Sequence, residues 1–261
     1  AFLVTESHNL YVCGSCGSGQ LGIGVNHDTV KHTWYKVTIE GIENNVKEII
    51  TSGNDIRCLS NYLITLDNNL WVCGNNDNGQ LGVANNKNNI YEWTKINIVG
   101  LENSVHKLIT NIFYYTDIRY DSVFIIDIYG NLWATGKNDL GQLGIGSTNP
   151  TITQWTKVTI PGLLNNVRFV LNDDSSYLVT KDNNLWVCGM NGGYQLGLGN
   201  NSVINTWTLV TNASLLNSVS TVIKSKRGYI SHAAYLIDIY DNLWVTGYNY
   251  YGQLGVGNTT S

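Results

Sequence analysis

The sequence predicts an all-β chain: a β-propeller of four-stranded blades, about five of them in 261 residues, with an incomplete blade at each end. Three observations carry this. The run WVCGNNDNGQLG from Trp71 returns as YVCGSCGSGQLG from Tyr11, WATGKNDLGQLG from Trp133, WVCGMNGGYQLG from Trp186 and WVTGYNYYGQLG from Trp244. A second block lies between copies, as WYKVTIEGIENNV from Trp34, WTKINIVGLENSV from Trp93, WTKVTIPGLLNNV from Trp155 and WTLVTNASLLNSV from Trp207. Finally, the distances inside both blocks do not vary. Glutamine to glutamine is 60, 62, 53 and 58 residues, a period that signals stacked supersecondary units, none able to bury its apolar faces alone.

Each unit opens on an aromatic and aliphatic run: FLVT at Phe2, YLIT at Tyr62, FIID at Phe124, YLVT at Tyr177 and YLID at Tyr235. Nine residues later comes Tyr11, Trp71, Trp133, Trp186 or Trp244, and nine after that Gln20, Gln80, Gln142, Gln195 or Gln253. The segments between the first two runs are rich in Asn, Asp and Gly, so the pair reads as a hairpin. Asn9, Asn69, Asn131, Asn184 and Asn242 precede the leucine of the second strand each time, and asparagine tolerates the left-handed conformation such a turn uses. The next glycine (Gly14, Gly74, Gly136, Gly189, Gly247) ends that strand. Tyr194 stands in the fourth copy where the others have the first glycine of GQLG, so that position does not strictly require glycine. The Trp-Thr-Lys blocks supply a third strand and stretches such as VKEIIT from Val46 a fourth. Each Trp or Tyr buries about 150 to 250 Å², and stacking sheets face to face is the simplest way to hide them.

The pattern WxxGxxxxGQLGxG resembles the regulator of chromosome condensation repeat, and its five matches cover almost the whole chain. The resemblance implies a propeller, typically of seven blades. It also implies a Gly-x-x-His-Ser element before YLIT, which TSGNDIRCLSNYLIT from Thr51 lacks. The unbroken period reads as a single domain over 1–261, with the chain starting in mid-blade and forming part of a longer propeller or an open ring. Unpaired sheet edges invite another chain, so self-association is expected.

Bulk properties narrow the function classes. Net charge is -4, and 13% of residues are charged, with no basic tail or stripe, so direct nucleic-acid binding is not expected. There is no apolar run of about 18 residues to span a bilayer. The 35 asparagines are a skew common in AT-rich genomes, including those of amoebae and large DNA viruses. Five scattered cysteines suggest reduced thiols and an intracellular setting, cytoplasm or nucleus, or a virion or virus-infected cell for a virus-encoded chain. Cys13 and Cys16 have CxxC spacing, but Cys13 aligns with Cys73, Cys188, Thr135 and Thr246, a small strand position, and no second CxxC completes a metal site. His8, His27, His32, His106 and His232 occupy unrelated repeat positions, and Asp173-Asp174 is an isolated acidic pair. No catalytic residue, metal or cofactor is expected.

The five glutamines, with Trp71, Trp133, Trp186 and Trp244, are read as structural repeat residues, each glutamine bonding its own loop. Partner-binding candidates are Tyr248, Tyr250 and Tyr251 before the last GQLG, and Phe113, Tyr114 and Tyr115 in the longest inter-block stretch. The favoured function is a non-enzymatic interaction or assembly module that binds protein, copies of itself included. The resemblance implies a second reading, guanine-nucleotide exchange on a small GTPase. A third is glycan binding, as in Trp- and Asn-rich propeller lectins.

Overall fold

The computed structural model describes residues 1–24, 30–52, 59–84, 88–110, 121–224 and 232–261, with the backbone of 114–115 and 118–119. All regular structure among them is β-strand. Strands β1 (Phe2–Val4), β2 (Leu10–Ser15) and β3 (Val30–Lys36) form a three-stranded antiparallel sheet. Next come β4 (Val46–Ser52), β5 (Ser60–Thr65), β6 (Leu70–Gly74) and β7 (Ile90–Lys95), a four-stranded sheet in sequence order. The third sheet joins β8 (Val105–Thr110), β11 (Ser122–Asp127), β12 (Leu132–Lys137) and β13 (Thr151–Lys157). A two-stranded ribbon, β9 (Tyr114–Tyr115) and β10 (Ile118–Arg119), lies between β8 and β11 in sequence. The fourth sheet is β14 (Val167–Leu171), β15 (Ser175–Thr180), β16 (Leu185–Gly189) and β17 (Ile204–Leu209). Last is a three-stranded sheet of β18 (Val219–Lys224), β19 (Ala233–Asp238) and β20 (Leu243–Gly247). The fold is a β-propeller whose first and last sheets each have three strands.

The chain forms two compact units, one of Ala1–Tyr129, Thr135–Lys137 and Thr151–Thr156, the other of Gly130–Ala134, Asn138–Pro150 and Lys157–Ser261. In the first unit, Leu10 and Val12 of β2 pack with Leu63, Trp71, Cys73 and Trp93 in one apolar cluster. In the second, Tyr177, Val179, Val187, Leu196, Val222 and Leu236 do the same. Pairing repeats in register: the second-strand aromatic faces the residue two after the block tryptophan, as Tyr11↔Lys36, Trp71↔Lys95 and Trp186↔Leu209. Each of these ladders slips just before the terminal glycine. A Cβ on Gly74 would lie 2.2 Å from the Leu59 carbonyl oxygen, which is why glycine stands at this slip.

The hairpin turns correct one sequence expectation by a single position. The left-handed residue is the one before the expected asparagine: His8, Asn68, Gly130, Asn183 and Asp241, with φ of 58, 58, 91, 62 and 64°. The asparagines act through their side chains instead. Asn9, Asn69 and Asn184 donate to Oδ1 of Asn44, Asn103 and Asn217 at 2.8, 2.7 and 2.8 Å, and those partners are themselves left-handed residues of the turn before the first strand of a sheet. The residue four before each asparagine is Thr or Asp because both offer an oxygen to its backbone N–H: Thr5, Thr65, Thr180 and Asp238 accept at 3.1, 2.9, 3.0 and 2.9 Å.

Asp238 collects further donors, and the Trp244 indole N–H at 3.0 Å leads them, with Asn242 and the Tyr240 backbone following. Together they pull its carboxyl down to about 2. A folded pKa below the unfolded value of about 3.9 contributes stability above pH 4 that is lost as pH falls toward 2. Urea unfolding across this range should therefore show Asp238→Asn with a shallower loss of stability on acidification than wild type; identical slopes would refute this.

Candidate protein-interaction surfaces

The repeated loop is built by its own side chains. Oε1 of Gln20, Gln80, Gln142, Gln195 and Gln253 accepts the backbone N–H two residues upstream at 2.8, 2.9, 2.9, 2.9 and 3.0 Å. Nε2 of Gln80 donates to Ser60 Oγ and Asn75 Oδ1, at 3.0 and 2.9 Å, and Nε2 of Gln195 to Ser175 Oγ at 3.1 Å. The glutamine carbonyl is occupied too, since Tyr62, Tyr177 and Tyr235 donate their hydroxyls to Gln80, Gln195 and Gln253. A residue that motif reading passed over completes the loop: Oδ1 of Asn76, Asn138, Asn191 and Asn249 accepts the leucine N–H of GQLG at 2.9 to 3.1 Å. Its signal was visible as an asparagine two residues after the strand-ending glycine in four of five copies, with Cys16 in the first.

That loop is a seat for the tryptophan of the following sheet. A Cβ on Gly22 would fall 2.5 Å from Trp93, on Gly82 2.4 Å from Trp155, and on Gly144 2.6 Å from Trp207. Short antiparallel bridges lock each seat, Ile23↔Glu92, Val83↔Gln154 and Ile145↔Thr206. The three seated tryptophans are 3%, 3% and 2% exposed. Trp34, their counterpart on β3, is 49% exposed, and Val30 and Tyr35 beside it are exposed too.

The last loop is the other open surface. Around Gly252, Gly255 and Gly257 a Cβ would meet nothing within 4 Å, although all three keep left-handed φ of 72, 68 and 79°. Tyr250 and Tyr251 are 65% and 63% exposed, with ring centroids 5.0 Å apart in an edge-on pair, and Tyr248 stacks at 6.3 Å from Tyr250. Leu243 of β20 is 66% exposed, whereas its counterparts Leu10, Leu70, Leu132 and Leu185 are buried. Tyr248, Tyr250 and Tyr251 are thus brought together in the loop that follows β20. Phe113 lies outside the described residues. The backbone of Tyr114 and Tyr115 pairs with Arg119 and Ile118 in the β9–β10 ribbon.

The isolated acidic pair acquires partners that sequence spacing does not reveal. Lys224 Nζ lies 3.4 Å from Asp173 and 3.9 Å from Asp174, and donates to the Ser175 carbonyl at 2.8 Å; His232 Nδ1 stands 3.9 Å from Asp174. These groups tie the end of β18 to the start of β15. His32 lies within strand β3, and His27 is outside the described residues. Among the described residues no three His, Cys, Asp or Glu side chains gather as a metal site. Cys73 and Cys188 are buried, and burial pushes both thiols well up, so they are neutral and poor nucleophiles. Burial, and then the carboxylates of Asp174 and Asp173, likewise raise the Tyr177 phenol.

No protein-family model matches the sequence. Over 137 residues it is 28% identical to a Protein RCC2 homolog of Xenopus laevis, a stretch covering 50% of this chain and 24% of that one. Among solved structures, human WBSCR16 superposes with a TM-score of 0.64 at 17% identity, covering all of this chain and 62% of that one. Prp20p of Saccharomyces cerevisiae, described with its binding to Gsp1p and histones, gives 0.58 at 18% identity over 85% of this chain and 50% of its own. The same yeast protein, RCC1 (Prp20), bound to Kap60, gives 0.60 at 18% over 85% and 49%. The chain thus spans about a quarter of the curated relative and half to three fifths of these solved chains.

Proposed function

The chain is built of regulator of chromosome condensation repeats, and from that premise we propose that it is a non-enzymatic protein-interaction module. The observation that carries this reading is the contrast between equivalent positions. Leu243 is 66% exposed where its counterparts Leu10, Leu70, Leu132 and Leu185 are buried, and Tyr250 and Tyr251 add two exposed aromatic rings in the loop after the same strand. Exposed apolar and tyrosine side chains of this kind suit contact with another protein surface. We also take the two compact units as one domain acting in the cytoplasm or nucleus, and self-association as one use of this surface.

A photo-crosslinking residue in place of Tyr251 tests the reading in cells. Protein adducts, with any partner, are expected; a folded chain that yields none would sink it. The one-domain reading predicts a single calorimetric transition with van't Hoff and calorimetric enthalpies equal, and two separated transitions would overturn it. The likeness to Prp20p, described with its binding to Gsp1p, favours one second reading, nucleotide exchange on a small GTPase. Faster release of labelled nucleotide from such a GTPase on adding the chain supports it, and an unchanged release rate removes it.

A further inference from the structure

We infer that the joint between the fourth and last sheets is a charge-held clasp, which loosens as ionic strength rises and lets β18–β20 part from the fourth sheet while the tryptophan seat over Gly144 stays shut. The clasp has two arms, one from each side of the joint. The first comes from a bulge. In β4, β8, β14 and β18 the residue after the first valine, Lys47, His106, Arg168 or Ser220, is skipped by the pairing with the next strand, and such a bulge re-aims its side chain. Lys47 reaches the hairpin of its own sheet, 3.0 Å from Asn68 Oδ1. Arg168 instead crosses the joint, where one guanidinium nitrogen donates to the Val219 and Ser220 carbonyls of the matching bulge in β18, at 3.0 and 2.7 Å.

The second arm runs the opposite way, from the far end of β18. Lys224 Nζ donates to the Ser175 carbonyl at 2.8 Å, lies 3.4 and 3.9 Å from Asp173 and Asp174, and stands 5.5 Å over the Tyr177 ring. His232 Nδ1 adds to this arm, 3.9 Å from Asp174. At the place of Lys224, the strands β4, β8 and β14 are followed or ended by Thr51, Thr110 and Asn172, so the repeat itself does not call for a cation here. Between the two arms the joint is apolar, with Val222, Ala234 and Leu236 packed on Tyr177 and Val179.

The arms and the apolar middle answer salt differently. Hydrogen bonds from an ionised donor are about twice as strong as neutral ones, and the screening length falls from about 30 Å at 0.01 M salt to about 3 Å at 1 M. Apolar burial has no charge to screen. Arg168 is exposed and Lys224 keeps 19% of its side chain open to solvent, so ions reach both arms. Because the arms grip one strand at its two ends, weakening them together frees the whole strand rather than fraying one end.

A thiol placed in the joint reads its opening. Ala234 is fully buried there, at the place that Ser176 holds beside Cys188 in the fourth sheet, and Cys188, equally buried against the Gln142 carbonyl, is a built-in control. Alkylation of each thiol is followed by peptide mass spectrometry at constant pH. Between about 0.01 M and about 1 M sodium chloride the thiol of Ala234→Cys should react about tenfold faster, and Cys188 less than about twofold faster. Lys224→Met or Arg168→Met, added to Ala234→Cys, should raise the low-salt rate about tenfold and flatten its salt dependence, whereas Lys224→Arg should behave as the lysine does. A rate that does not rise with salt, whether slow or fast throughout, overturns the clasp and assigns the joint to apolar packing. Cys188 quickening in step would overturn it too, as a loosening of the whole unit. Should a methionine variant fail to fold, the salt comparison on the chain that keeps Arg168 and Lys224 still decides.

Discussion

Gly144→Ala is expected to destabilise the protein by about 3 kcal/mol or more, and Gly255→Ala by about 1 kcal/mol. The two glycines are matched in conformation, φ 66 and 68°, and in sequence position within their loops. An alanine at either one carries the same left-handed backbone strain, roughly 1–2 kcal/mol. They differ in what the new methyl meets. At Gly144 it falls 2.6 Å from the Trp207 ring and 2.8 Å from Cys188 Sγ, both buried and neither able to retreat without opening the seam. At Gly255 it meets open space. Urea midpoints for the pair separate steric exclusion from backbone strain. Equal losses would mean that tryptophan seating contributes nothing to the need for glycine.

How much of this was legible in the sequence depended on whether the deciding distance was local. Hairpins, sheet composition and the glutamine loops rest on contacts within about twenty residues, and fixed spacing reports those directly. The left-handed turn residue was misplaced by one because Asn68 and Asn69 are the same residue type, and the distinction is the Asn69 contact to Asn103, 34 residues away. The Lys224 contact with Asp173 joins residues 51 apart in a lysine that no other repeat shares, so periodicity could not report it. Tyr250 and Tyr251 stood out by composition. Trp34 did not, since in sequence it is one of four equivalent tryptophans and only the packing of its neighbours sets it apart.

The loop glutamine offers the second large effect. Gln80 is fully buried and held on every side: it accepts from Asn78 N–H and donates to Asn75 Oδ1 within its loop and to Ser60 Oγ of β5, with Asp121 Oδ2 3.5 Å from its amide nitrogen. Truncation in Gln80→Ala removes all of these and leaves the partners in a space too tight to resolvate them freely. Stranded buried partners cost about 1–3 kcal/mol each, so a total near 3 kcal/mol is expected. Gln80→Glu keeps the shape and the acceptor but replaces a donor by a carboxylate next to Asp121. Burial and the like charge both disfavour ionisation, so the folded pKa of the new carboxyl lies above its unfolded value of about 4.3. The variant's deficit relative to wild type is therefore full above the raised pKa and shrinks as pH falls through it, because the protonated acid regains an O–H to donate. Unfolding of Gln80→Glu and Gln80→Ala followed from pH 8 to pH 4 decides the matter. A Glu variant that recovers on acidification while the Ala variant does not shows that the donor, not the volume, makes this glutamine structural; parallel curves would assign its role to packing alone.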